Sequence, residues 1–134
     1  MQNIVILAGN VGATPEARTT QGGTKITHFS LATSRPKRDS DGKVIKDRDG
    51  YRVEDTEWHR ITCFNGVGKT VEEYVEKGMK VIVRGRIHYT SWTDQDDIKR
   101  YGTEIIADEV TFLTRAKPAD RSGDDMPDDE EIPF

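Results

Sequence analysis

The sequence predicts an all-β domain with one short helix, a five-stranded Greek-key barrel over residues 1–113, followed by a disordered acidic tail over residues 114–134. Three observations lead there. Five segments carry the period-two alternation that sends successive side chains to opposite faces of a strand. One segment, between the third and fourth of them, repeats its apolar residues at helical spacing instead. Finally, charge changes abruptly along the chain: residues 1–113 hold 17 Lys+Arg and 17 Asp+Glu, whereas residues 114–134 hold 3 and 7.

The first strand is expected over residues 3–8, a mostly apolar run closed by Gly9-Asn10. Thr19-Thr20-Gln21-Gly22-Gly23 then reads as a hairpin tip, and residues 24–34 as the second strand, with Phe29 and Leu31 on one face and Ile26, His28 and Ala32 on the other. Residues 35–55 are polar and contain two Asp-Gly pairs, Asp41-Gly42 and Asp49-Gly50, each favouring a tight turn; an extended, mobile β-ribbon is expected there. Both pairs sit in calcium-loop-like sequence, but Gly50 and Trp58 stand where the bidentate glutamate would be, which favours turn chemistry.

Residues 56–64 form the third and central strand. Trp58, Arg60, Thr62 and Phe64 share one face; His59, Ile61 and Cys63 share the other. The second set is an ordinary core face. The first is either a second core face or a platform for something flat and anionic, since bases stack on aromatic rings and Arg contacts phosphate. A short amphipathic helix follows over residues 68–77, carrying Val71, Tyr74 and Val75 and stopped at Lys77-Gly78. The fourth strand, residues 80–92, puts Val81, Val83, Ile87 and Tyr89 on one face and Arg84, Arg86, His88 and Trp92 on the other. Aromatic and basic residues share a face for the second time, and buried arginine without a partner is costly, so a core role for both faces becomes hard to sustain. Asp94 to Lys99 reads as a loop and residues 101–113 as the last strand.

A strand order with the helix between strands three and four suits the oligonucleotide/oligosaccharide-binding (OB) barrel, whose strand face and loops bind oligomers. One domain fits 134 residues of 34% hydrophobic content. The single cysteine, Cys63, excludes an internal disulfide framework and a cysteine-based metal site. Nothing approaches the length of a membrane span, and the run at residues 4–8 is too short for a signal peptide, so a cytoplasmic protein is expected. An enzyme is the rival class: Asp94, Asp96 and Asp97 are candidate metal ligands, but without a completing His or Glu they read as a solvated loop. A barrel serving only as a protein adaptor is the third possibility. No cofactor is expected.

Several segments together resemble the bacterial single-stranded DNA-binding protein family, including its phage-encoded members. They are Asn3-Ile4-Val5-Ile6-Leu7-Ala8-Gly9-Asn10, Pro15-Glu16-Ala17-Arg18, Leu31-Ala32-Thr33-Ser34, Thr56-Glu57-Trp58-His59-Arg60, Glu73-Tyr74-Val75-Glu76-Lys77-Gly78, Trp92-Thr93-Asp94-Gln95 and the terminal Ile132-Pro133-Phe134. The resemblance implies a homotetramer around which single-stranded DNA wraps, with Trp58, Phe64 and Trp92 stacking, Arg60 and Lys77 on the DNA path, and His59 near the subunit interface. Arg84 and Arg86 join that path as basic residues on the Trp92 face. It also implies that Asp128, Asp129, Glu130, Glu131, Ile132, Pro133 and Phe134 form a tip captured by replication, recombination and repair enzymes. The sequence departs from the family at Pro36-Lys37, where some members carry another stacking aromatic; Tyr51 is the candidate substitute.

Overall fold

The computed structural model describes residues 1–114. The acidic run and the terminal Ile132-Pro133-Phe134 lie outside the described residues. Six strands and one helix follow in the order β1 (Val5–Val11), β2 (Glu16–Thr19), β3 (Lys25–Pro36), β4 (Glu54–Phe64), α1 (Asn65–Tyr74), β5 (Lys80–Thr93) and β6 (Lys99–Phe112). The sheet runs β1-β5-β6-β4-β3-β2, and an additional β1–β3 pairing closes five of these strands into a barrel. Closure rests on a short antiparallel contact, Asn10 with Ala32 and Val11 with Leu31, and on a short parallel one, Ile61 with Ile105 and Thr62 with Ile106. The expected five-stranded OB barrel is the architecture observed, with β2 added as a sixth strand on the first half of β3.

The alternation along β3, β4 and β5 delivers the interior. Leu31, Ile61, Cys63, Val81 and Val83 are fully buried, and α1 closes one end of the barrel with Val71, followed by Val75 and Met79 from the loop beyond it. Each such side chain contributes about 1.5–3 kcal/mol on leaving water. The helix lies close against the strands: a Cβ at Gly68 would stand 2.9 Å from Thr27 Oγ1, and that buried hydroxyl donates to the Gly68 carbonyl at 3.0 Å.

Besides β2, three elements differ from the sequence expectation. Gly9-Asn10 is no strand end, because β1 crosses there from β5 to β3; Asn10 pairs with both Lys80 and Ala32, and a Cβ at Gly9 would collide with the Ala32 carbonyl. The helix begins and ends three residues early. Asn65, at φ 51, turns the chain directly out of β4, and Val75 returns to extended geometry. Residues 37–53 form two successive small hairpins rather than one ribbon. They are tied together where Lys37 N–H donates to Val53 O (2.8 Å), Ile45 N–H to Lys37 O (2.9 Å) and Val53 N–H to Ile45 O (3.0 Å).

The Asp-Gly turns are built alike. Asp39 Oδ1 accepts from the Asp41 and Lys43 amides, Asp47 Oδ1 from those of Asp49 and Tyr51, and Gly42 and Gly50 take up φ of 83 and 85. The loop between β5 and β6 repeats the device: Asp94 Oδ1 accepts from Asp96 and Ile98 N–H at 2.9 Å, with Asp97 at φ 64. These aspartates cap turns, the role that short polar side chains commonly fill in tight loops.

Candidate nucleic-acid interface

The outer face of β4 continues sideways into its neighbours. Directly opposite residues share a face, so Trp58 lies beside Ala32, Arg60 beside Ser30, Thr62 beside His28 and Phe64 beside Ile26. On the β5–β6 hairpin the same outer face carries Arg86 beside Ile106, His88 beside Glu104, Thr90 beside Gly102 and Trp92 beside Arg100. The parallel β4–β6 contact joins the two halves at Thr62, whose hydroxyl donates to Glu104 Oε1.

Both tryptophans rest on glycine. A Cβ at Gly12 would collide with Cζ3 of the Trp58 ring, and one at Gly102 would come within 3.1 Å of the Trp92 ring. Each indole therefore has its six-membered ring against glycine backbone, with 63% of Trp58 and 52% of Trp92 still open to solvent. Two adjoining grooves run between them. One, about 470 Å³, reaches from Trp58 to Arg60 and His28; the other, about 430 Å³, from Arg60 and His28 past Arg18 and Glu104 to Trp92. Arg60 and His28 line both, so the two grooves make one path with a tryptophan at either end.

The electrostatics of the path are mixed. Arg18 and Arg60 form no ion pair among the described residues, which leaves their guanidinium groups available. Burial holds His28 below the ordinary histidine value, reinforced by Arg60 and Arg18 and opposed by Glu104 and Glu16. Its Nδ1 lies 3.2 Å from Thr62 Oγ1. At the hairpin loop, the hydrogen bond from Arg100 Nε (2.8 Å) holds the Asp94 carboxyl below its usual range, with backbone N–H groups adding to it. No group of three or more His, Cys, Asp or Glu suited to a metal ion occurs among the described residues.

The other sequence-selected residues fall at varying distances from this path. Phe64 shares the outer face, in a row with Ile26 and Arg18, but lines neither groove. Lys77 is exposed and precedes Gly78, whose N–H donates to Val11 O one residue before the glycine under Trp58. Arg86 lies on the Trp92 face six residues back, about 20 Å along the strand. Arg84 is further away and engaged: its guanidinium pairs with Glu109 at 3.2 Å, a partner brought opposite by the register shift at that point. His59 lines the Trp58 groove, half-buried, with Nε2 2.8 Å from Thr33 Oγ1. Residues that sequence reasoning did not select are Gly12, Arg18, His28, Gly102 and Glu104. The alternation of β3 put His28 on the outward face, whereas only register brings Glu104 to Thr62.

No helix of the described residues is long and apolar enough to cross a membrane. Residues 2–113 match the single-strand binding protein family. The single-stranded DNA-binding proteins of Xanthomonas axonopodis pv. citri and Xylella fastidiosa strain Temecula1 are 42% and 45% identical to this chain over 111 residues, 83% of this chain and 57% and 63% of theirs. This chain thus spans about three fifths of the length of those curated relatives. Single-stranded DNA-binding protein 1 of Xylella fastidiosa strain 9a5c is 37% identical over 96% of this chain and 93% of its own. A solved structure, described as Plasmodium falciparum SSB complex with ssDNA, matches with a TM-score of 0.72 at 29% identity, covering 85% of this chain and 96% of that one. With the barrel, its closure and the matched span in agreement, the chain belongs to the single-strand binding protein family.

Proposed function

We propose that this protein binds single-stranded DNA non-catalytically and with little dependence on sequence, protecting it during replication, recombination and repair. The observation that carries the reading is the path itself: two exposed indoles, each laid on a glycine, at the two ends of a groove centred on Arg60. Large exposed aromatics outside the buried core contribute little to the fold, and such rings mark binding surfaces. Stacking accepts any base because every base has a π-face, at about 1–3 kcal/mol per base, and the arginines contribute a salt-dependent phosphate term. Phe64, Lys77, Arg84 and Arg86 extend the DNA path beyond the two grooves, with Arg84 released from Glu109 when phosphate competes for it. The exposed Ile4, Ile6, Tyr74 and Phe112, together with His59, supply surfaces for a homotetramer. The tip from Asp128 to Phe134 recruits partner enzymes, offering a ring and acidic groups to an apolar pocket rimmed by Lys or Arg.

Titration with a thymidine oligonucleotide, followed by tryptophan fluorescence at low and high salt, tests the central reading. Saturable quenching is expected, weakened by salt and weakened in both Trp58→Ala and Trp92→Ala. Absence of quenching at either salt would exclude DNA from the path.

A further inference from the structure

A strand stacked on both indoles must carry its backbone across the stretch that the two grooves share. Arg60 and His28 line that stretch in both grooves, with Arg18 and Glu104 beside them toward Trp92 and Glu16 and His59 toward Trp58. The two guanidinium groups are phosphate contacts at any pH, whereas His28 depends on its proton. Hydrogen bonding shows which of its atoms can change. The Thr62 hydroxyl has one hydrogen and donates it to Glu104 Oε1, so its contact with His28 has a single sense: Nδ1–H donates to Thr62 Oγ1. In the neutral ring Nε2 is then bare, and it has no hydrogen-bond partner among the described residues. Gaining a proton there turns an acceptor into a cationic donor in the middle of the path.

The groups around the ring set when that happens. On β2, Glu16 stands opposite His28 and Arg18 diagonal to it; on β4, Thr62 stands opposite and Arg60 diagonal; Glu104 of β6 reaches the ring through Thr62. Burial disfavours the charged ring, Arg60 and Arg18 add to that, and the two glutamates oppose it. A phosphate arriving between the guanidinium groups reverses the balance, since it offsets two positive charges and adds a negative one.

We propose that His28 is a conditional phosphate contact: as the DNA backbone enters the middle of the path, Nε2 takes a proton from solvent and the new N–H hydrogen-bonds a phosphate oxygen. This rests on the single-stranded DNA reading above and couples binding to proton uptake. By linkage, a chain that gains a proton on binding binds more tightly as pH falls. The contact falls on phosphate, which every nucleotide carries, so indifference to sequence is kept. Thr62 and Glu104 are positioning residues that fix the tautomer.

The test titrates the full chain with a thymidine oligonucleotide, whose base does not titrate between about pH 6 and pH 8, at constant salt with tryptophan fluorescence as the signal. From pH 8 to pH 6 the native affinity should rise about fivefold beyond any rise in His28→Asn, whose amide still has hydrogens to donate but cannot become cationic. The slope of log affinity against log salt should be steeper at pH 6 than at pH 8 by up to about 0.7 in the native chain, and equal at the two pH values in His28→Asn. His28→Lys, charged at both pH values, should bind more tightly than the native chain at pH 8 and lose the pH dependence. Calorimetry of the native chain at pH 6, in two buffers of different ionisation enthalpy, should show proton uptake on binding. An equal rise in the native chain and in His28→Asn, or binding at pH 6 without proton uptake, overturns the proposal and leaves the DNA reading standing. If the oligonucleotide binds the native chain at neither pH, the DNA reading itself fails and this proposal falls with it.

Discussion

The two faces of β4 are made from interleaved residues and answer to different demands. Ile61 and Cys63 face inward, with no exposed surface; Trp58 and Arg60 face outward and are exposed, and Phe64 faces outward with 38% of its surface in water. By residue type alone either face could be a core, since strands favour both aromatic and β-branched side chains. What separates them is the partner: the inward residues belong to the cluster of Leu31, Ile105 and the helix-side Val71, while the outward Trp58 and Arg60 lie beside Ala32 and Ser30, with bare Gly12 against the indole. A strand that has filled its fold-making face has its other face free for an external ligand, and the glycines under the indoles keep that face low enough for a ligand to lie on it.

The sharpest way to separate the faces is to empty one and read both properties. Ile61→Ala should lower stability by about 2–5 kcal/mol, measured by denaturant unfolding, because a large buried side chain is removed from a closed barrel. The folded protein should still bind single-stranded DNA with its native affinity. Loss of binding at full folding would mean that the two faces are mechanically coupled. The converse substitution, Arg60→Gln, lies on the outward face. Its stability should stay within about 0.5 kcal/mol of native. DNA affinity should fall, and the plot of log affinity against log salt should become shallower by about 0.7, the share of one phosphate contact on a single strand. An unchanged slope would remove Arg60 from the phosphate path.

How far the sequence exposes this contrast depends on where the information resides. The faces of β3 and β4 are legible because alternation is a local property, carried by Phe29 and Leu31 against His28, and by Ile61 and Cys63 against Trp58 and Arg60. Tyr89 shows the limit of the same rule: it shares a face with Val81 and Val83 but is 72% exposed, since the β5–β6 hairpin projects past the barrel. β2 escaped notice because Glu16-Ala17-Arg18-Thr19 has no apolar alternation and is held by pairing to β3 alone. The tie at Lys37, Ile45 and Val53 consists of backbone hydrogen bonds between residues eight and sixteen apart, which leave no periodic signal in side chains. Glu104 is the clearest case. Nothing near it in sequence marks it, and its place in the groove comes from meeting a threonine 42 residues earlier across the parallel β4–β6 contact.

Cys63 and Phe64 give the contrast its finest test, because adjacent residues on opposite faces should differ in access to solvent. Burial pushes the Cys63 thiol up to about 12 from an ordinary 9.0, so at pH 8 it is protonated and enclosed. A soluble disulfide reagent should therefore leave the native chain unlabelled at pH 8 and react once denaturant opens the barrel. The same shift has a consequence for stability, and its sign follows from proton binding. The unfolded thiol loses its proton near 9 while the folded one keeps it, so the contribution of the neutral thiol is complete below pH 9 and lost as pH rises toward 12. By pH 10 the native chain should have lost about 1.4 kcal/mol relative to a Cys63→Ala chain measured in parallel, which cancels the titration of every other group. Parallel pH dependence in the two chains, or labelling of the native thiol at the rate of an unfolded peptide, would show that the inward face opens to water as readily as the outward one. In that event the division of β4 into a fold-making and a ligand-facing side would not hold.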